Sequence, residues 1–367
     1  MPISSMFMKR NLLLNPGPVT ITERVRKALI QPDLCHREPE FATLTLDIKQ
    51  RLVSVYPQAA TDYEAIVITG SGTCAVEAML SSFIPREGKA LVVANGVYGE
   101  RMASMIAAHG KPIEIVAAKW SESMNLSEVK QRLEQDQAIT HVVAVHHETT
   151  TGRLNDFAQL GQICCDYNVG LLLDAVSSFG AEEINFTDWN LEACASTANK
   201  CLHGVPGISF VLARRSLFNS RPSAATSIYL DLYRYYRDQV NGFSPFTQSV
   251  HVCYALQAAL QELEDSGGWL QRHEHYSNLS QGILQGLGKL GIKPFLDEQS
   301  SSCVLRSFKL PNQHTYTQIH DALKAAGFII YAGQGWLANS IFRIANMGEI
   351  DMEDVDNLIT CFSDLLD

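Results

Sequence analysis

No stretch of this chain is apolar for long enough to cross a membrane, and no cluster of lysine and arginine marks a phosphate-binding face. The charge balance is acidic, −10 in all, which argues against nucleic acid as a partner. Met1-Pro-Ile-Ser-Ser-Met-Phe-Met-Lys-Arg10 lacks the charged-then-apolar order of a secretion signal, so a cytoplasmic protein is expected. A disulfide framework is missing too. The nine cysteines are odd in number and irregularly spaced, and the adjacent Cys164 and Cys165 suit neither a disulfide nor a shared metal. Reduced thiols fit the expected compartment. Repeats and low-complexity segments are likewise absent. What is there is a 367-residue chain, 46% hydrophobic and 19% charged, which describes a well-packed globular protein too long for one core.

From roughly residue 60 to 265, strand-like runs alternate with helical patterns. Tyr63–Thr69, Ala90–Ala94, His141–His146, Gly170–Asp174 and Ile208–Ala213 read as strands. The third and fourth are continuously apolar, as parallel strands covered on both faces must be. Thr73–Phe83 places Val76, Met79, Leu80 and Phe83 on one helical face, and Glu100–His109 forms the next helix. This alternation predicts an α/β fold with a wound, largely parallel sheet. At Asp265-Ser-Gly-Gly268 the pattern breaks, and a long polar helix follows from Trp269 to about Leu290. Strands at Ser302–Phe308, Phe328–Tyr331 and Ser340–Ala345, with helices at Tyr316–Ala326 and Met352–Leu366, predict a small α+β domain. The expected division is a large domain over 19–265 and a small one built from 1–18 and 266–367. Leu12-Leu-Leu-Asn-Pro-Gly-Pro18 crosses between them, kept from helix by its prolines.

Chemistry gathers at the strand ends. Asp174 closes the run Val169-Gly-Leu-Leu-Leu-Asp174, and Lys200 lies further on, in Ser196-Thr-Ala-Asn-Lys200-Cys-Leu-His-Gly-Val-Pro-Gly207. A buried carboxylate and a lysine amine are the pair required by an enzyme built around pyridoxal 5'-phosphate (PLP). The amine condenses with the cofactor aldehyde, and the carboxylate keeps the pyridine nitrogen protonated. Singly, a lysine is more often a solvated charge and a strand-end aspartate a turn or cap residue, so the reading depends on what surrounds the pair. In Thr69-Gly-Ser-Gly-Thr73 a strand turns into a helix, and Ser71, Gly72 and Thr73 offer hydroxyls and free N–H groups to a phosphate. The same glycines, with Ala75, fit the dinucleotide pattern G-x-G-x-x-A, so an NAD-dependent dehydrogenase is a rival reading. Against it, the next strand ends at Asn95 without the carboxylate that holds a ribose. A plain glycine turn with a serine cap is the third alternative.

Tyr98, in the loop Asn95-Gly-Val-Tyr98-Gly99, either lies on a planar ring or packs. Thr149, in His147-Glu-Thr-Thr-Thr-Gly152, and Ser177, just beyond Asp174, bring hydroxyls to the same carboxyl edge, where open α/β sheets bind ligands. His146, His147 and Glu148 invite a metal, but consecutive strand residues point to opposite faces, so none is expected. Arg343, inside Ile341-Phe-Arg-Ile344, either pairs with an internal carboxylate or clamps an anionic substrate.

Together these segments resemble the class V aminotransferases of fold type I, almost end to end. The resemblance is carried by Leu13-Leu-Asn-Pro-Gly-Pro18, Gly70-Ser-Gly-Thr73, Asn95–Gly99, His147–Gly152, Asp174-Ala-Val-Ser-Ser-Phe-Gly180, Ser196–Cys201, Gly204-Val-Pro-Gly207 and Phe342-Arg-Ile-Ala-Asn-Met-Gly-Glu349. It implies a large domain with a mainly parallel seven-stranded sheet, a small α+β C-terminal domain, PLP as cofactor, and a small-molecule amino donor with a 2-oxo acid acceptor. It also implies Lys200 as the cofactor-linking lysine, Asp174 as the pyridinium partner, and Tyr98 stacked on the ring. Ser71, Gly72 and Thr73 would meet the phosphate, and Thr149 and Ser177 the ring hydroxyl. Arg343, Asn15 and Gly17 would meet substrate. Thr247, in Phe246-Thr-Gln-Ser249, matches a position that reaches the phosphate in the neighbouring subunit, which implies a homodimer.

The likeness is greatest to the family's phosphonate branch, which implies transamination of 2-aminoethylphosphonate with pyruvate to phosphonoacetaldehyde and L-alanine. Cys35-His-Arg-Glu-Pro-Glu-Phe41 is equally similar to the alanine–glyoxylate and serine–pyruvate branch, and Gln334 stands where the phosphonate branch carries lysine. A desulfurase on the same scaffold needs a cysteine on a mobile loop, and neither Cys303 nor Cys361 has such a position.

Overall fold

A computed structural model describes residues 11–366; Met1–Arg10, the stretch without a secretion pattern, and Asp367 lie outside the described residues. The central feature is a seven-stranded sheet of β1 (Tyr63–Thr69), β2 (Lys89–Ala94), β3 (Ile113–Ala117), β4 (Ile139–Val145), β5 (Gly170–Asp174), β6 (Leu191–Thr197) and β7 (Ile208–Arg214). Their spatial order is β1-β7-β6-β5-β4-β2-β3. Only β7 runs against its neighbours, so the other six carboxyl ends share one edge.

Both faces of the sheet are dry, as the apolar runs require. Val67, Leu171 and Leu173 point to the side covered by helices Pro39–Ser54, Phe157–Asp166 and Val250–Asp265. Ile66, Ile68 and Leu172 point to the other side, against Val76, Met79 and Phe83 of helix Gly72–Phe83 and Met102 and Ile106 of helix Val97–Ala108. Period-2 alternation with apolar residues at every position is the pattern of a sheet sandwiched between helices. Two strands escape sequence reasoning. β3 is an edge strand, partly exposed and carrying Glu114, and β6 is Leu-Glu-Ala-Cys-Ala-Ser-Thr, small residues of weak strand preference made central by their neighbours.

A second core joins Leu12, Leu14 and Val19 to Tyr276, Ile283, Phe308, Ile319, Phe342 and Phe362. Strands Leu305–Lys309, Ile341–Ala345 and Tyr331–Ala332 form an antiparallel sheet there, beside helices Gly268–Lys289, Tyr316–Ala326 and Met352–Leu366. The Tyr316 helix opens on a reciprocal Thr315–Gln318 capping box and closes on the left-handed Gly327. The strand expected over Phe328–Tyr331 is divided, because its halves find different partners. Phe328–Ile329 pairs with Leu12–Leu13, and Tyr331–Ala332 pairs with the Arg343 strand. Among the described residues no helix is long and apolar enough to cross a membrane.

Candidate active site

Strand order brings Lys200 and Asp174 to the same sheet edge. β6 ends at Thr197 and β7 returns from Ile208, so the connection is trapped at the carboxyl edge. The Ala198 N–H donates to the Ile208 carbonyl at 3.1 Å, and the His203 N–H to the Lys200 carbonyl at 2.9 Å. β5 is the other neighbour of β6, and its last residue, Asp174, pairs with Ala195. Asp174 is buried, and its Oδ1 accepts the Val176 N–H at 2.9 Å. Burial pushes this acid up to about 6, against the pull of that N–H and of the Lys200 charge. Burial likewise depresses the Lys200 amine to about 8, with Cys201 and Asp174 opposing the shift and Arg343 adding to it.

Thr73, Tyr98, Arg101, Asp174 and Val176 line one cavity at this edge. At its rim, Ser71 caps helix Gly72–Phe83 through its backbone alone, and its hydroxyl makes no capping bond. A Cβ on Gly72 would stand 3.0 Å from the Val176 methyls, so only glycine brings the helix start this close. Gly17 is the second such position. At φ +105° it passes so near Lys200 that a Cβ would lie 2.7 Å from Cδ. A carboxylate at the floor, unpaired helix N–H groups and hydroxyls at one end, and a desolvated amine close by suit PLP, with its ring nitrogen, phosphate and aldehyde.

The remaining residues divide by what they touch. Tyr98 lies in the first turn of helix Val97–Ala108 rather than on a loop, because the chain turns into helix directly after Gly96. The buried Arg343 donates from Nε to the Ala332 carbonyl and from Nη1 to the Thr149 carbonyl, both at 2.8 Å. Main-chain oxygens therefore set its plane, where an internal carboxylate was the alternative expectation. The Ser177 hydroxyl donates to the His147 carbonyl at 2.9 Å. Asn15 is buried, and its amide holds the Pro18 carbonyl at 2.9 Å, shaping the segment that brings Gly17 to Lys200. Thr247 is exposed, apart from the cavity, although its neighbours Gln248 and Ser249 bond the Thr69 hydroxyl at the end of β1. The Nδ1 atoms of His146 and His147 bind the Ser178 hydroxyl and the Ser177 carbonyl, while Glu148 turns to Thr150.

Two further neighbours belong here: Arg101, which carries no signal of its own, and Glu148, which the sequence offers only as a metal ligand. Arg101 lies over the Tyr98 ring, 4.9 Å from its centroid, and lines the cavity with Asp174. Its i,i+3 spacing from Tyr98 is the signal that identifies it once the segment is known to be helical. Glu148 is fully buried, and burial pushes its acid up to about 7, with Asp174 adding to the rise.

This sheet, with a lysine and a buried strand-end acid at one edge, is the arrangement of a PLP-dependent enzyme of fold type I. The chain belongs to the aminotransferase class-V family, whose model matches residues 36–358. The 2-aminoethylphosphonate–pyruvate transaminase of Bacillus cytotoxicus is 37% identical over 357 residues, covering 96% of this chain and 97% of that one. The enzyme of the same name from Bacillus mycoides is 37% identical over 353 residues, covering 95% and 96%. Among solved structures, alanine–glyoxylate aminotransferase from Nostoc superposes with a TM-score of 0.91 at 23% identity, covering 100% of this chain and 98% of that one. A Thermus thermophilus aspartate aminotransferase gives 0.88 at 25% identity, covering 97% and 99%. Family membership displaces the dehydrogenase reading of Gly70-Ser-Gly72.

Proposed function

We propose that this chain transfers the amino group of 2-aminoethylphosphonate to pyruvate, giving phosphonoacetaldehyde and L-alanine. The reading rests on near-full-length identity of 37% to transaminases bearing that name, together with a buried guanidinium, Arg343, fixed by two carbonyls and near enough to Lys200 to help depress its amine. PLP, when bound, supplies the electron sink for the carbanion left by proton loss. This chain's residues do the rest. Lys200 holds the cofactor between turnovers, and its Nζ, poised near pH 8, takes and returns the substrate proton. Asp174 is a buried acid short of hydrogen-bond donors, so a cationic ring nitrogen beside it stabilises both partners. Ser71, Gly72 and Thr73 would hold the phosphate, and Tyr98, Thr149 and Ser177 would hold the ring. Arg343 binds the phosphonate of the donor and the carboxylate of pyruvate in turn, as a planar fork suited to either anion. Asn15 and Gly17 close the substrate side.

The exposed Thr247, on a segment tied to the end of β1, serves the phosphate of a second copy, which makes the working unit a homodimer. Sedimentation at micromolar concentration tests that unit; a monomer with full activity would end it. An amino-acid donor is the second reading. It is favoured by neutral Gln334, whose buried Oε1 has no partner within the described chain. Half-reactions decide between them. Holoenzyme mixed separately with 2-aminoethylphosphonate, serine, alanine and aspartate should lose its visible cofactor absorbance fastest with the phosphonate, and pyruvate should restore it. Bleaching by serine or alanine but not by 2-aminoethylphosphonate would transfer the assignment to the second reading.

A further inference from the structure

We propose that Glu182, His273 and Cys303 form a binding site for one thiophilic divalent metal ion, zinc by the chemistry of its donors, apart from the catalytic cavity. The three side chains come from distant parts of the chain. Glu182 follows the turn after β5, His273 is on helix Gly268–Lys289, and Cys303 enters the strand Leu305–Lys309. Cys303 Sγ lies 3.4 Å from Glu182 Oε1 and 3.5 Å from His273 Nδ1, and that Nδ1 lies 3.4 Å from Glu182 Oε2. Zinc held tetrahedrally at about 2.0–2.3 Å by oxygen, nitrogen and sulfur separates its ligands by about 3.3–3.6 Å. The Sγ–Nδ1 and Nδ1–Oε2 separations already match two edges of a tetrahedral face, and all three donor atoms lie within 4.8 Å of one another. As a hydrogen bond, by contrast, the Nδ1 to Oε2 separation is too long to be a good one.

The surroundings fit the same reading. Glu182 and Cys303 are buried and His273 is half-exposed, which gives an ion an entry and leaves a fourth position open to water. The Ser302 hydroxyl and the Cys303 N–H donate to Glu182 Oε1, orienting the carboxylate and leaving Oε2 for the ion. His273 Nδ1 also lies 2.8 Å from the Ala181 carbonyl, a hydrogen bond that metal entry replaces. On binding, metal–nitrogen and metal–sulfur bonds form; the S–H proton passes to solvent, and the Nδ1 proton is lost from the imidazolium form or replaced by one taken up at Nε2, so that His273 binds as neutral imidazole. The ion ties the turn after β5 to the second core, which already includes Ala181 and Cys303.

Cobalt(II) titration of the PLP-loaded, chelator-washed enzyme tests the site. One ion per chain should appear with tetrahedral ligand-field bands and a thiolate charge-transfer band, and zinc should displace it. Cys303→Ser should lose the charge-transfer band, and His273→Gln should weaken binding by at least about tenfold. His273→Gln changes a half-exposed side chain, so it decides the matter even where Cys303→Ser folds poorly. Zinc should also raise the thermal midpoint of the parent enzyme but not of His273→Gln. A saturated protein without tetrahedral cobalt bands, or the same spectrum and affinity in Cys303→Ser through the exposed Cys35 or Cys165, would overturn the proposal.

Discussion

Asp174 and Glu182 are both buried acids on the stretch that leaves β5, yet burial has opposite outcomes in them. Asp174 accepts one main-chain N–H and is pushed up to about 6. Burial pushes Glu182 up as well, but the His273 imidazole 3.4 Å away and the Ser302 hydroxyl outweigh it and hold the acid down to about 2. The lysines repeat the contrast. Lys49 is buried and its amine lowered, but it is satisfied by Glu64 at 2.8 Å and the Gln239 carbonyl at 2.7 Å. The Lys200 amine is desolvated without such partners among the described residues. Desolvation alone does not mark a site. Desolvation with partners missing does, because the missing partner is what a ligand brings.

If that contrast is right, the largest effect belongs to Lys200. Lys200→Ala should lower kcat by about 10⁴-fold or more and abolish the visible absorbance of the lysine-linked cofactor. Lys49→Ala, by comparison, should keep both and lose only thermal stability. Next comes Asp174→Asn, which should retain PLP yet lose about 10²–10³-fold in kcat, the size expected when one member of a buried charge pair is removed. Near-normal turnover would mean that Asp174 needs no cationic partner. Arg343→Ala should raise KM for 2-aminoethylphosphonate and pyruvate by about 10–100-fold, as for lost hydrogen bonds to charged groups. An unchanged KM for both substrates would remove the clamp.

Effects on pH and stability are smaller. The rate of reconstitution of apoenzyme with PLP should climb with pH and level off above about 8, because only the neutral Lys200 amine attacks the aldehyde. A profile still climbing toward the ordinary lysine value would mean that the amine is solvated. Glu182→Gln should cost about 1–3 kcal/mol in urea unfolding while leaving KM unchanged. The contribution of Glu182 is present above its unfolded value of 4.5 and is lost as pH falls toward about 2, so the acid limb of stability should flatten in the variant.

Much of this was legible in order along the chain. Apolar runs with both faces covered, the glycine turn before a helix, and Asp174 and Lys200 beyond strands are local patterns, and local patterns survive without a fold. β3 and β6 were not legible, since an edge strand carrying charge and a run of small residues have weak signals of their own. The glycines around Tyr98 predict a loop, whereas the helix begins at Val97, and Arg101 joins the site only once that boundary is known. Glu182 offered no signal. Its partners Ser302, Cys303 and His273 are far away in the chain, and nothing near it in sequence distinguishes it from a surface acid.

The amino-acid order by itself determined the kind of sheet, the family and the residue types available for chemistry, because period, glycine placement and strand-end polarity are set within a few residues. Only the tertiary structure decided which charges are satisfied and which are left wanting. That depends on desolvation and on partners supplied from other strands and from the second core, and neither has any expression along the chain.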